Sequence, residues 1–187
     1  MKPFVPDSSL DPCVREHSMR VRRYAVGLAC VLGIKDGPMI EAIEQAALVH
    51  DIGKMAIPRD ILDKPGALTK AEFDLVKRHV DLGVGMLTGS RINPRVIPIV
   101  RSHHENWDGT GYQQGLYGRR IPIGARIVAV VDCFDALTSD RPYRPKMPIQ
   151  SALQIVRSRR GTMYDPSVVD AFLWGSYDRT MAAGGEA

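Results

Sequence analysis

The chain has 187 residues, which suits a single domain with a core of its own. Its composition is ordinary and globular, 44% hydrophobic and 25% charged, with sparse aromatics that lean it toward helix. The net charge of +4 suits an anionic ligand but is too weak to argue for nucleic acid, and no block of like charge is long enough to form an arm. The densest cluster, Arg157–Arg160, reads as a solvated helix end. Cys13, Cys30 and Cys133 are scattered without a CxxC and read as reduced thiols, with Cys30 and Cys133 expected in the core. The first residues, MKPFVPDSS, carry no apolar signal region, and no apolar stretch reaches membrane-spanning length. A cytoplasmic location is the expectation.

From about Pro12 to Leu32, the residues Val14, Val21, Tyr24, Leu28 and Val31 recur at helical spacing. His17 falls on the same stripe and so points inward. The Asp36-Gly37-Pro38 turn opens a second helix running to about Asp51, with Ile43, Ala47 and His50 on one face. Thr69-x-x-Glu72 is a capping box, and the helix it opens sets Phe73, Val76, His79 and Val80 on one side. Asn93-Pro94 reads as a helix start that delivers Val96, Val100 and the His103-His104 pair, with a kink expected at Pro98. Residues 105–121 hold four glycines and read as a loop. Pro122 opens an apolar helix, GARIVAVVDCFDAL, in which Asp132 and Asp135 share a face with Val128 and Val131. A second loop carries Arg141-Pro-Tyr-Arg144. Helices from Pro148 to about Arg160 and from Pro166 to Trp174 complete an all-α fold of about seven helices. Residues 1–10 read as an extension and 175–187 as a disordered tail around one domain, 11–174.

The chemistry is concentrated in the histidines. There are five, His17, His50, His79, His103 and His104, and all fall in helical or helix-end positions beside acidic residues. Neutral imidazole is the commonest metal ligand, and mixed His/Asp sets favour Mn, Fe or Zn over Ca or Mg. Buried Asp132 and Asp135 are costly unless paired or bound to metal. Plainer readings stand beside this one. A lone His on an apolar face is usually a satisfied core residue, and His17 stays open between that and a ligand or phosphate role. Neighbours on a helix diverge by about 100°, so the plain reading of His103-His104 puts one inward and one outward. Glu105 and Asp108 read either as carboxylates behind the ligands or as polar loop residues, and Trp107 as a packing residue.

His50-Asp-Ile-Gly-Lys54 carries the dipeptide of the HD superfamily of metal-dependent phosphohydrolases. With His17-x-x-Arg20-Val21, IPRDILDKPGALTKAEFDLVKRH (57–79), HHENWDGTGY (103–112), ARIVAVVDCFDAL (125–137) and RPYR (141–144), the chain resembles the HD-GYP domain from about residue 11 to residue 174. That family is the cyclic di-GMP phosphodiesterases. The resemblance implies a helical bundle around two divalent ions, iron or manganese, held by His50, His79, His103, His104 and Asp132, with Asp51 bridging them. It implies Lys54 beside the scissile phosphate, with Asp135 as its partner, structural or catalytic. Tyr112, Arg141 and Arg144 match positions that hold the dinucleotide, although Arg141 also reads as a helix cap. The implied reaction is hydrolysis of cyclic di-GMP to linear pGpG, and on to GMP, by a water activated between the two ions.

Two positions depart from the family pattern. Gly-Tyr-Pro is here Gly111-Tyr112-Gln113, and losing proline removes a φ restraint and returns an N–H, so a looser loop is expected. Four residues before His17, where three-metal members carry glutamate, stands Cys13. Two ions are therefore expected and a third is not, with Cys13 as a thiolate ligand the minority reading and His17 open between core, ligand and phosphate roles. Three functions stay in view: an active cyclic-dinucleotide phosphodiesterase for cyclic di-GMP or a related dinucleotide, a weak or inactive binding module, and a general mononucleotide phosphohydrolase. Expected partners are the dinucleotide and, through the Gly111-Tyr112-Gln113 loop, regulatory or diguanylate-cyclase-type signalling proteins; DNA, RNA and membrane are not expected.

Overall fold

A computed structural model describes residues 12–140 and 145–183, with backbone alone for 12–14 and 176–183. Among the described residues there are nine α-helical segments and no strand. They are α1 (Pro12–Val31), α2 (Gly37–Val49), α3 (Arg59–Leu62), α4 (Lys70–Lys77), α5 (His79–Leu87), α6 (Val96–Ser102), α7 (Ile123–Thr138), α8 (Ile149–Ser158) and α9 (Pro166–Ala183). Two 3₁₀ turns, Ile52–Ala56 and Gly118–Arg120, interrupt the connections.

The core forms where α1, α2 and α7 meet. Val21, Ala25, Ile43, Ala47, Val128 and Val131 are all fully buried there. Small residues on α2, Ala42, Ala46 and Ala47, let its neighbours approach closely. Each Val or Ile so buried contributes about 1.5–3 kcal/mol. Around this centre α6 packs on α2 and α5, α8 packs on α7, and α9 packs on α1, α7 and α8. No described helix is long and apolar enough to cross a membrane.

Most expected elements are present, and the differences have physical causes. The capping box forms: Thr69 Oγ1 accepts from Glu72 N–H, and the Glu72 carboxylate accepts from Thr69 N–H. The helix it opens stops at Lys77, and α5 begins at His79. That break rotates the two halves apart, so His79 and Val80 are buried while Phe73 is 46% exposed. Pro98 produces no mid-helix kink, because α6 begins at Val96 and places it in the first turn, where an N–H has no helical partner in any case. The last helix does not stop at Trp174 but continues to Ala183. A Cβ at Gly175 would come within 3.4 Å of Val31 Cγ2, so the extended helix runs close beside α1 there. Cys30 is exposed rather than in the core, and Cys133 is partly buried against Arg159.

Candidate metal centre

Two histidines cap helix C-termini, His50 on α2 and His103 on α6, and His79 opens α5 directly after Arg78, the C-cap of α4. The last carbonyls of a helix lack intrahelical partners, and each of these imidazoles takes one. The Nδ1 of His50 bonds the Ala47 carbonyl at 3.0 Å, that of His79 the Val76 carbonyl at 2.7 Å, and that of His103 the Val100 carbonyl at 2.7 Å. A carbonyl only accepts, so the proton belongs on each Nδ1 and each Nε2 keeps its lone pair. Those three Nε2 atoms are buried and have no hydrogen-bond partner. Helix C-termini also carry partial negative charge that favours a nearby cation.

All five histidines form one contiguous cluster. Ring centroids are 5.5 Å apart for His17 and His50, 5.3 Å for His50 and His103, 5.5 Å for His79 and His103, and 4.0 Å for His103 and His104. Because α6 ends at Ser102, the helical divergence of neighbours does not apply, and His103 and His104 join the same cluster. Burial lowers the basicity of His79, His103 and His104, the last to about 4, which keeps them neutral and ready to donate.

Asp51 lies at the middle. Its Oδ1 is 3.4 Å from His79 Nε2 and its Oδ2 is 3.5 Å from His50 Nε2. These contacts set lone pair against lone pair, an arrangement that a cation between them would reverse. Ligand atoms fall into two sets, Asp51 with His79, His103 and His104, and Asp51 with His17 and His50, each within 4.8 Å of one another. Lys54, one 3₁₀ turn on, donates to Asp51 Oδ2 at 2.6 Å. Although burial opposes ionisation, the Lys54 ammonium helps hold the Asp51 carboxyl well below its usual range. Gly53 lets this turn press on α5, since a Cβ there would collide with the His79 carbonyl oxygen.

Asp132 and Asp135 face this cluster from α7. Asp132 Oδ1 lies 3.3 Å from His17 Nε2 and 3.7 Å from His50 Nε2. Asp135 pairs with other groups than Lys54, the partner that the family resemblance implies. It is fully buried and accepts from Arg20 Nε at 2.6 Å and Arg20 Nη2 at 3.1 Å, with His17 Nδ1 at 2.7 Å. Lys54 donates to Asp51, 2.6 Å away, while Arg20 rises from α1 one turn after His17. The motif that contains Arg20 implies no role for it; the i,i+3 spacing from His17 is the signal that could have found one. Burial opposes a charge on His17, yet hydrogen bonds with Asp132 and Asp135 hold it up to about 9.

The 105–121 loop closes the remaining side. Tyr112 stacks on His104, with ring centroids 4.9 Å apart and planes at 27°, and its N–H donates to the His104 carbonyl. Gly111 is required here: a Cβ would collide with Asn106 N–H and crowd Glu105 and the His104 carbonyl. The looser loop expected from Gln113 meets a tether instead. Gln113 Nε2 donates to the Lys77 carbonyl at 2.7 Å, Gln114 N–H to Glu105 Oε1 at 2.6 Å, and Gln114 Nε2 to Ser102 Oγ at 3.1 Å. Glu105 is buried and supports this loop, whereas Asp108 is exposed and closes a turn on Thr110. Arg141, Arg144 and the Cys13 side chain lie outside the described residues.

The orphaned Nε2 atoms of His50, His79 and His103, with the orphaned Asp51 Oδ1, are the donor set a borderline divalent ion takes. The residues therefore fit a metal centre. Comparison with known proteins agrees in kind. A Thermotoga maritima cyclic di-GMP phosphodiesterase is 43% identical over 161 residues, covering 84% of this chain and 43% of its own length. The Xanthomonas campestris cyclic di-GMP phosphodiesterase response regulator RpfG is 47% identical over 139 residues, covering 73% and 36%. A 3'3'-cGAMP-specific phosphodiesterase of Vibrio cholerae, the third of that name, is 40% identical over 155 residues, covering 83% and 34%. The chain thus spans less than half the length of these curated relatives. A solved HDG"Y"P protein from Bdellovibrio bacteriovorus has the same fold, with a TM-score of 0.71 at 21% identity over 85% of this chain and 51% of that one. The sequence pattern of the HD domain matches residues 8–168, and the chain belongs to the HD-domain family.

Proposed function

We propose that residues 11–174 are a phosphodiesterase domain that hydrolyses cyclic di-GMP to linear pGpG, and on to GMP, with two divalent ions, iron or manganese. The observation that carries this reading is Asp51, whose two oxygens face two separate histidine sets. A carboxylate can serve two ions at once, which an imidazole cannot. His79, His103 and His104 would hold one ion and His50 with Asp132 the other, Asp51 being common to both. Two such ions neutralise an anionic phosphodiester and lower the pKa of a water for in-line attack. A third ion is not proposed, because both His17 nitrogens already face carboxylates, Asp135 and Asp132. His17 is then a positioning residue that fixes Asp132, itself anchored through Asp135 and Arg20.

Lys54 is the cation beside the bridging carboxylate, placed to meet charge as it grows on the phosphoryl oxygens. Tyr112, stacked on His104, borders the same side. Arg141 and Arg144 are proposed as bidentate phosphate or guanine contacts, on their sequence positions. Docking of a diguanylate-cyclase-type signalling protein at the Gly111-Tyr112-Gln113 loop belongs to the same proposal. A second reading, preference for another cyclic dinucleotide, is favoured by the likeness to the 3'3'-cGAMP-specific relative.

The test is turnover of cyclic di-GMP and 3'3'-cGAMP by protein purified without air, with metal content measured on the same sample. About two ions per chain and release of pGpG are expected. Metal-loaded protein that binds cyclic di-GMP but yields no linear product is a binding module, and the enzyme reading falls. Faster turnover of 3'3'-cGAMP selects the second reading.

A further inference from the structure

Phe73 was expected on the inner face of its helix and instead stands 46% exposed on α4, outside the core cluster. Its one described ring contact is with a cation: Lys77 Nζ lies 4.7 Å from the Phe73 ring centroid. The same ammonium lies 5.7 Å from the centroid of Tyr112, and Tyr112 stacks on His104. A continuous ladder therefore runs from the metal-facing imidazole, through a phenol and an ammonium, to an exposed phenyl ring. The Lys77 backbone is tied into it as well, since its carbonyl accepts from Gln113 Nε2. The other partner of Lys77, Asp74 Oδ1 at 2.9 Å, is 52% exposed, and such a surface pair is weak enough to yield to a ligand.

We propose that Phe73 and Lys77 form a nucleobase subsite at the rim of the metal centre, taking the base of a cyclic dinucleotide remote from the scissile phosphate. The inference rests on the phosphodiesterase reading and deepens it. An exposed phenyl ring stacks on any base face. The neighbouring ammonium offers donors to the acceptor edge of a purine, where guanine presents N7 and O6 and adenine N7 alone. A flat ring with acceptors on one edge and an anionic diester on the other side matches this order of groups. A mononucleotide held at the metals does not reach two ring layers away.

The test compares the full chain with Phe73→Ala, Phe73→Leu and Phe73→Tyr. Two quantities are read. One is the ratio of kcat/KM for cyclic di-GMP to kcat/KM for bis(p-nitrophenyl) phosphate, a diester without bases. The other is the stopped-flow fluorescence quench, before turnover, of a cyclic dinucleotide carrying one 2-aminopurine base. Phe73→Ala is expected to lower the ratio about tenfold, equivalent to about 1.4 kcal/mol, and to remove most of the quench. Phe73→Tyr restores both, and Phe73→Leu, which keeps apolar bulk without a π-face, restores neither. An unchanged ratio in Phe73→Ala, or a parent-like ratio and quench in Phe73→Leu, overturns the subsite. If the parent hydrolyses neither diester the phosphodiesterase reading fails by itself, and the quench still decides whether Phe73 stacks on a base.

Discussion

Replacing Gly53 with alanine tests whether the fold itself sets the metal geometry. The added Cβ would collide with the His79 carbonyl oxygen and lie 2.5 Å from Gly83 N and 2.8 Å from the His79 carbonyl carbon. All three are backbone atoms of α5, so no side chain can swing aside. Ordinary contact begins at 3.4 Å, and α5 must retreat by about 1.5 Å to clear the His79 carbonyl oxygen as well. Overpacking of this kind costs about 1–3 kcal/mol. At about 2–4 °C per kcal/mol for a domain of this size, Tm falls by about 2–12 °C. His79 travels with α5, while metal–ligand distances tolerate only about ±0.2 Å. Mn(II) affinity should drop about 10–100-fold, measured by calorimetric titration of the metal-free protein. Gly85, on the same helix, is the control: nothing lies within 4 Å of the place its methyl would occupy, and Gly85→Ala should stabilise by about 0.5–1 kcal/mol with metal affinity intact. A Gly53→Ala protein that melts and binds Mn(II) like its parent refutes the reasoning.

Lys54→Met should retain metal and lose about 10²-fold or more in kcat, since it removes a cation beside Asp51 without touching a proposed ligand; unchanged turnover removes Lys54 from the chemistry. Asp165 is buried, accepts from Arg126 Nη1 at 2.5 Å and caps the start of α9 through Ser167 N–H at 2.7 Å. Asp165→Ala leaves the Arg126 charge without its partner and should cost about 3–5 kcal/mol by denaturant unfolding, and a loss under about 1 kcal/mol contradicts this. The metal-free protein should lose stability on both sides of neutrality. Burial lowers His104 to about 4, so stability present above the unfolded value of about 6.5 drains away as pH falls toward 4. His17, opposed by burial but held up to about 9 by Asp132 and Asp135, acts in the other sense: its contribution is complete below about 6.5 and is lost as pH rises through 9. Urea midpoints of metal-free protein from about pH 4 to about pH 10 check both limbs, and a flat profile contradicts them.

The helices and the inward direction of the histidines were legible because both are local properties. Apolar spacing placed His17 and His50 on buried faces, and they are 5% and 0% exposed. The capping box at Thr69 and Glu72 was equally local. Long-range pairing was not legible. Arg20 and Asp135 are 115 residues apart, and no spacing rule joins them; the partner expected for Asp135, Lys54, came from the family resemblance. The break at Arg78 was hidden for another reason: no Gly or Pro marks it, and an unbroken helical reading carried Phe73 inward. The continuation of α9 past Trp174 was missed because a Gly-Ser pair reads as a stop unless the packing against Val31 is known.

The bonds from His50, His79 and His103 to carbonyls three residues back have an evolutionary consequence. Each ring takes its orientation from the main chain of its own segment, not from another residue's side chain. No substitution at Ala47, Val76 or Val100 can delete a carbonyl, so the proton stays on Nδ1 whatever side chain drift installs there. A centre wired in this way can tolerate wide sequence change around its ligands. It can also be rebuilt wherever a helix ends in histidine, since each ligand is a four-residue cassette that carries its own orienting group.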